Sequence, residues 1–279
     1  MTKYRDNISL IIAVYNQSRN LELVLDSVRQ QTNQNIEIVI ADDGSTDGTE
    51  KVIEQFRVDC PHIPIIFVTQ EDEGFRKTMI LNKAIKRSRG DYLIFLDGDM
   101  LLEKRFIDLH LQYREPSQVL CGYRGVKLTE AYTEKVVNGE KLFSTHPINL
   151  LVQRIKGNVE NPMRGLILHN RFIRKFAVPA RDSLSGCNFS LYRKALEAVN
   201  GFNEDILEYG FDDYELGHRL KIEGYKFFNI SKMCNTYHLY HPTRKTRRKE
   251  VAEKIARVDA STNSWCENGL SKKGSSYAS

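Results

Sequence analysis

Four short apolar runs punctuate the N-terminal part of the chain: ISLIIAVY (8–15), IEIVIA (36–41), IPIIFV (63–68) and YLIFL (92–96). Each is nearly continuous in Ile, Val, Leu and Phe, the pattern of a strand covered on both faces rather than wetted on one. After the first run, Leu21, Val24, Leu25 and Val28 recur at i, i+3, i+4 and i+7, which is one face of a helix. A second helix is predicted to run to about Phe56 from a cap at Asp47 or Thr46, and a third from about Arg76 to Arg89. Strands and helices alternating in such short steps predict an α/β fold, a mostly parallel sheet flanked by helices.

Beyond Gly122 the pattern becomes irregular as far as about Ala180. Helical periodicity returns in RKALEAVNGF, with Gly201 placed as its stop. It returns again in DYELGHRLKIEGY, where Leu216 and Leu220 lie one turn apart and Gly224 ends the helix. A basic run, Arg244 to Lys249, leads into an amphipathic helix, and NGLSKKGSSYAS reads as a disordered end. The 279 residues, 41% hydrophobic and 28% charged, suit one large domain or two small ones. A net charge of +5 fits an anionic small-molecule ligand and excludes a dedicated nucleic-acid binder. Cys60, Cys121, Cys187, Cys234 and Cys266 are odd in number, far apart and without a CxxC pair, so free thiols are expected and a zinc site is not. MTKYRDN runs directly into the first strand and no apolar stretch nears the ~20 residues of a membrane span, so the expectation is a cytoplasmic protein without a signal peptide.

Ligands of an open parallel sheet bind beyond the carboxyl ends of its strands. The first, second and fourth runs end in YNQ, DDGSTD and DGD, which puts Asp42, Asp43, Asp97 and Asp99 on one edge. Two carboxylates ~4 Å apart repel by about 4 kcal/mol at an effective dielectric near 20. A divalent cation removes that cost, and oxygen ligands of this kind suit Mg²⁺ or Mn²⁺. Asp-Gly is also ordinary turn chemistry. The strand before DGD and the second acidic cluster beside it weigh against a turn alone.

The segments SLIIAVYN, VIADDGSTDGT, GFRKTMILNKAI, GDYLIFLDGDM, GCNFSLYRKALEAVNGFNED, GFDDYELGHRL and YHLYHP occur in the order found in the family 2 glycosyltransferases of the GT-A fold. The chain resembles in particular the bacterial enzymes that build surface polysaccharides, the chondroitin-polymerase type included, over roughly Ile8 to Pro242. The resemblance implies a GT-A domain at 1–242, with a nucleotide-binding half (1–122), a smaller acceptor-binding half (123–242), and a basic helical tail at 243–279. It implies inverting, metal-dependent transfer of a hexose or N-acetylhexosamine from a UDP-sugar to a glycan or lipid-linked acceptor. Asp99 would contact a metal directly and Asp97 would hold the ribose or the ion, with His238 or His241 as a later ligand, and an imidazole donor favours Mn²⁺ over Mg²⁺. Asp213 matches the family's base; its partner is Asp212 here, where the family usually has Glu. Ala13, Val14, Tyr15 and Asn16 would surround the nucleoside, and Asp42 or Asp43 would accept from the uracil N3–H. Arg76 and Lys77 match a basic position near the diphosphate. Gly186, Cys187 and Asn188 would approach the donor sugar.

Two rivals need the same residues. A phosphatase of the haloacid-dehalogenase type also places DxD after a strand, but that is its first strand and here it is the fourth. A non-catalytic nucleotide-sugar binder would not need the Asp212–Asp213 pair. The run from Arg244 to Lys249 would draw the chain to anionic lipid on the inner face of the membrane at about 1 kcal/mol per charge.

Overall fold

The structure, a computed structural model, describes residues 6–122, 124–168, 183–233, 235–242 and 248–272, leaving aside the side chains of residues 248–252. Its first half alternates as the apolar runs require: β1 (Ile8–Val14), α1 (Ser18–Arg29), β2 (Glu37–Asp42), α2 (Thr49–Asp59), β3 (Ile65–Thr69), α3 (Lys77–Arg87) and β4 (Tyr92–Asp97). The second half contains β5 (Met100–Leu102), α4 (Phe106–Tyr113), β6 (Gln118–Cys121), β7 (Val126–Lys127), α5 (Glu130–Val137), α6 (Pro147–Ile155) and a 3₁₀ turn (Pro162–Gly165). It continues with β8 (Asn188–Tyr192), α7 (Arg193–Ala198), α8 (Asp212–Ile222), β9 (Lys226–Asn229), β10 (Thr236–His238) and α9 (Arg248–Asp259).

A seven-stranded sheet runs in the order β3-β2-β1-β4-β8-β6-β9. All its pairings are parallel except those of β8, which lies antiparallel between β4 and β6. Both faces are covered, which is why the strands are apolar without alternation. Leu10, Ile12, Ile38 and Ile40 meet α1 through Leu21, Val24, Leu25 and Val28 on one face. Ile11, Val39 and Phe95 meet Ile80, Leu81 and Ala84 of α3 on the other. Each such side chain contributes about 1.5–3 kcal/mol by leaving water. The seam between β4 and β8 is closed by Phe95 stacked on Phe189, with ring centroids 4.5 Å apart.

A smaller sheet, in the order β5-β10-β7, sits beyond the carboxyl end of β4. It sets His238 of β10 opposite Met100 of β5 and beside Lys127 of β7. This sheet carries a residue from late in the chain to the DGD turn.

Several expectations are corrected. β3, at the sheet edge, is half-buried rather than covered on both faces. α2 has Gly48 at its N-cap position, whose φ of 90° fits glycine, and the preceding Asp47 carboxylate accepts from Thr49 N–H at 3.3 Å and from the Thr49 hydroxyl, as well as from Ser18 N–H, while Thr46 plays no such part. The irregular stretch after Gly122 holds two helices, α5 and α6. In α6 only Leu150 and Gln153 are buried, so its apolar residues do not mark an inward face. The C-terminal segment is not loose throughout. Asn200, in left-handed backbone with φ 64°, binds Cys266 O and Ser271 N–H through its side chain and Leu270 N–H through its carbonyl. Residues 244–247 of the basic run, Cys234, residues 169–180 and residues 273–279 lie outside the described residues. Cys60, Cys187 and Cys266 are free and buried, as expected, and Cys121 is a buried cysteine outside any disulfide. No helix among the described residues is long and apolar enough to cross a membrane.

One buried group sets a pH dependence. His110 of α4 is fully buried, its Nδ1 2.7 Å from the Ser190 hydroxyl, which lies 2.6 Å from the Tyr92 hydroxyl. Burial pushes its imidazole down to about 3 from an ordinary value of 6.5. The unfolded chain therefore binds a proton here that the folded chain refuses between pH 6.5 and 3, and stability falls as pH drops below about 6.5. Denaturant titrations should show a loss from this residue of about 2 kcal/mol at pH 5 relative to pH 7.5, absent in His110→Gln. Equal pH slopes for the two proteins would contradict the assignment.

Candidate functional site

The carboxyl ends of β1, β2 and β4 open onto a cleft of about 330 Å³. Ala13, Val14 and Tyr15 line it from β1, Asp43 from β2, Lys77 from α3, and Asp97 and Asp99 from the β4 turn. His238 and His241 close the far side. The turn is held tightly: Gly98 N–H donates to Ala13 O at 2.8 Å. A Cβ on Gly98 would lie 2.7 Å from Val14 Cγ1 and 3.1 Å from Ala13 O, so only glycine fits between the two aspartates.

Asp99 faces both histidines. Its Oδ2 lies 3.3 Å from His241 Nε2 and 3.7 Å from His238 Nε2, and one ligand atom from each residue falls within 4.8 Å of the others. Asp99 and His238 are buried, yet Asp99 Oδ1 and His238 Nδ1 have no hydrogen-bond partner among the described residues. Burial pushes the Asp99 carboxyl up to about 7, with the nearby Asp97 adding to it and Lys77 opposing. Burial, then the neighbouring His241, pulls His238 down to about 3, so its imidazole is neutral. A neutral imidazole and a carboxylate starved of partners form a donor set that fits a divalent cation. Leu239 N–H, donating to Asp99 O at 3.0 Å, ties the two chain segments together at this point.

Asp97 lies apart from this cluster, paired with Lys77 at 2.7 Å. Burial alone would pull the Lys77 ammonium down, but Asp97, Asp212 and Asp213 outweigh it and hold the group charged above its ordinary range. A crevice behind Lys77 reaches Gly186 and Asp212. Asp212 and Asp213 occupy the first turn of α8, with Phe211 at its N-cap position. Negative charge is favoured at that helix end. Gly186 N–H donates to Asp213 Oδ2 at 2.8 Å, leaving the other carboxylate oxygen uncommitted by that bond. Burial raises both carboxyls, Asp212 to about 6, with Lys77 opposing; the Gly186 N–H also opposes the rise at Asp213.

Other sequence-derived candidates are engaged in building the rim. Asp42 takes up Ser45 N–H, the Ser45 hydroxyl and the Thr69 hydroxyl, and does not line the cleft. Of the two acidic candidates on β2, Asp43 is the one that reaches it, braced by Gln70 at 2.6 Å and Arg76 N–H at 2.9 Å. Asn16, at φ 51°, joins the tips of β1 and β2 by accepting from Thr46 N–H at 2.8 Å. The Arg76 guanidinium turns away to Glu73 and Glu71 O, so the α3 cation in the cleft is Lys77. Cys187 and Asn188 are buried in the sheet, and of the SGCN segment Gly186 borders the crevice. Sequence reasoning missed Phe75, Tyr209 and Arg124, which also line the cleft. Phe75 and Tyr209 meet edge to face at 5.9 Å; their adjacency to the FRK and GFDD motifs was the available signal.

Residues 9–179 match the model of glycosyl transferase family 2, and residues 171–242 match the model described as the N-terminal domain of galactosyltransferase. The chain is 29% identical over 261 residues to the uncharacterized glycosyltransferase YfnE of Bacillus subtilis, covering 84% of this chain and 65% of that one. It is 25% identical to chondroitin synthase of Escherichia coli, covering 89% of this chain and 37% of the relative. The chain thus spans less than two thirds of each relative's length. Among solved structures, the mannosyltransferase PcManGT of Pyrobaculum calidifontis in complex with GDP-Man and Mn²⁺ superimposes with a TM-score of 0.64 at 19% identity, over 93% of this chain and 66% of that one. S. aureus TarS with UDP-GlcNAc gives 0.57 at 19% identity, over 90% and 66%. These likenesses show the GT-A-like fold.

The packing of the DGD turn has a direct consequence. Gly98→Ala is expected to cost about 1–3 kcal/mol of stability in thermal unfolding, because Val14 or the turn must give way. It is also expected to abolish any manganese-dependent gain in UDP affinity in isothermal titration. Wild-type affinity in the variant would show that the turn's position is unimportant to the site.

Proposed function

The chain belongs to glycosyl transferase family 2 and is a glycosyltransferase, and from that premise we propose that it moves a hexose or N-acetylhexosamine from a UDP-sugar to a glycan or lipid-linked acceptor in bacterial polysaccharide synthesis, with inversion. The observation that carries the reading is the convergence of Asp99, His238 and His241 at one end of a cleft that also holds Lys77, with Gly186, the amide partner of Asp213, and Asp212 lining a crevice behind that lysine. We take residues 1–242 as the transferase domain, divided near 122, and residues 243–279 as its tail.

Asp99, His238 and His241 would hold a divalent cation, Mn²⁺ by the imidazole donors, which would supply charge neutralisation to a departing diphosphate. Asp43 and Tyr15 receive the nucleoside against the backbone of Ala13 and Val14. Lys77 gives a fixed positive charge beside the phosphates, and Asp97 keeps it aimed there. Asp213 accepts the proton of the attacking hydroxyl. Its Oδ2 is held by the Gly186 amide, so the other oxygen keeps a fixed direction toward the acceptor. The hydroxyl oxygen bonds to the anomeric carbon as the bond to the diphosphate oxygen breaks, and base and leaving group flank the sugar as in inverting glycosidases. Asp212, buried and bordering the crevice behind Lys77, ties the start of α8 electrostatically to that lysine. UDP is preferred on the motif resemblance; the GDP-Man bound by one structural relative makes the base a point to test.

A screen of nucleotide sugars for released nucleoside diphosphate, with Mn²⁺ and with chelator, tests the reading. Release from a UDP-sugar that chelator stops is the expected result, and release only from GDP-sugars would overturn the nucleotide assignment. Asp213→Asn preserves an oxygen for the Gly186 amide and should keep the fold and UDP affinity. It should lower kcat by about 10²–10⁴. Full activity in that variant would remove Asp213 from the role of base.

A further inference from the structure

Helix α6 carries its apolar residues on the outside. Leu150 and Gln153 turn inward, while Ile148, Leu151 and Ile155 are 69%, 58% and 79% exposed and Val152 is 38% exposed. At ~100° per residue these four fall in a stripe roughly 100° wide. Met163, 64% exposed, adds a further exposed apolar residue on the 3₁₀ turn, whose Gly165 lies against Leu150. Single exposed aliphatics are ordinary, but a contiguous row on one helix face marks a contact surface.

The charges within this stretch of chain are of one sign. From residue 141 to 159 the chain has no Asp or Glu, and it has Lys141, Arg154 and Lys156. By helical position Arg154 and Lys156 fall on opposite sides of the stripe. Beside Met163 stand Arg164 and Lys232, and Lys232 donates to Met163 O. Burial and the Arg164 charge hold the Lys232 ammonium below its ordinary value. Glu160, which follows this stretch, is paired with Lys127 at 2.8 Å.

We propose that α6 and the adjoining 3₁₀ turn form a seat for an anionic phospholipid bilayer, with the aliphatic row in the headgroup boundary and the cations against lipid phosphates. Apolar row and cationic rim together are the pattern of a helix lying in a membrane interface. A second copy of this chain would oppose the same positive rim to itself, which disfavours it as the occupant. The seat is coupled to the cleft. Just beyond α6, Asn158 O accepts from Thr129 N–H, Glu160 N–H donates to Lys127 O, and Val159 bridges Leu128, so the helix is anchored to the strand beside His238. On the transferase reading, which this last step rests on, a lipid-linked acceptor is thereby delivered beside the cleft.

Co-sedimentation of the full chain with phosphatidylglycerol-containing and with pure phosphatidylcholine vesicles tests the seat without reference to sugar transfer. Binding to the anionic vesicles, weakened by salt, is expected. The double variant Ile148→Ser, Ile155→Ser should lower the bound fraction about tenfold or more. Arg154→Gln with Lys156→Gln should remove the preference for anionic lipid, and both should retain UDP binding. Leu151→Trp, which keeps the row apolar, should shift its emission to the blue on vesicles, a readout that survives if the serine variants fail to fold. The proposal is overturned if the wild-type chain ignores anionic vesicles or if the Trp emission does not move. It is equally overturned if folded serine variants bind as wild type, or if the row proves to close a dimer in sedimentation velocity.

Discussion

A buried carboxylate without partners is the constraint around which the site is arranged. Asp99 sits at the end of a core strand, its Oδ1 unbonded among the described residues, facing two imidazoles at distances too long for good hydrogen bonds. Such an arrangement costs free energy in the apo chain and is relieved by a positive charge that can accept three donors at once. Two pieces of backbone hold it there. The Gly98 contact fixes Asp99 to the tip of β1, and the β5–β10 ladder brings His238 across more than a hundred residues of sequence.

The second element is a single ammonium shared among carboxylates. Lys77 pairs with Asp97 and feels Asp212 and Asp213, which come from a different helix in a different part of the chain. The end of β4, the start of α3 and the start of α8 are therefore held in one electrostatic unit. Because Lys77 neutralises the acid pair without bonding Asp213 directly in this structure, the Gly186 amide is what orients that carboxylate. The same Gly186 approaches Asp213 closely: a Cβ there would lie 3.3 Å from Asp213 Cβ.

The N-terminal architecture was legible because strands covered on both faces leave uninterrupted apolar runs, and α1 shows its inward face plainly. β8 was missed as a strand since its sequence, NFSLY, puts Asn188 and Ser190 in the core, and its antiparallel course has no local signature. α6 carries a helical apolar spacing at Ile148, Leu151, Val152 and Ile155, but it lies in a stretch of mixed polar and aromatic residues and its apolar row faces out rather than into the core. In the site, the residue types at the strand ends were readable, but orientation was not. Asp42 against Asp43, and Arg76 against Lys77, differ only in which neighbour sits in the turn, and Ser45, Thr69 and Glu73 decide that in three dimensions. Cys187 and Asn188 belong to the motif in sequence while their side chains belong to the sheet.

The family and fold support the proposed sugar transfer, and the account of how it is done rests on one place for one ion. Anomalous diffraction at the manganese edge, from crystals grown with UDP and Mn²⁺, addresses that place directly. The account predicts a peak bounded by Asp99, His238 and His241 and touching the diphosphate. A bound UDP with no peak there, or with manganese on another set of residues, would contradict it.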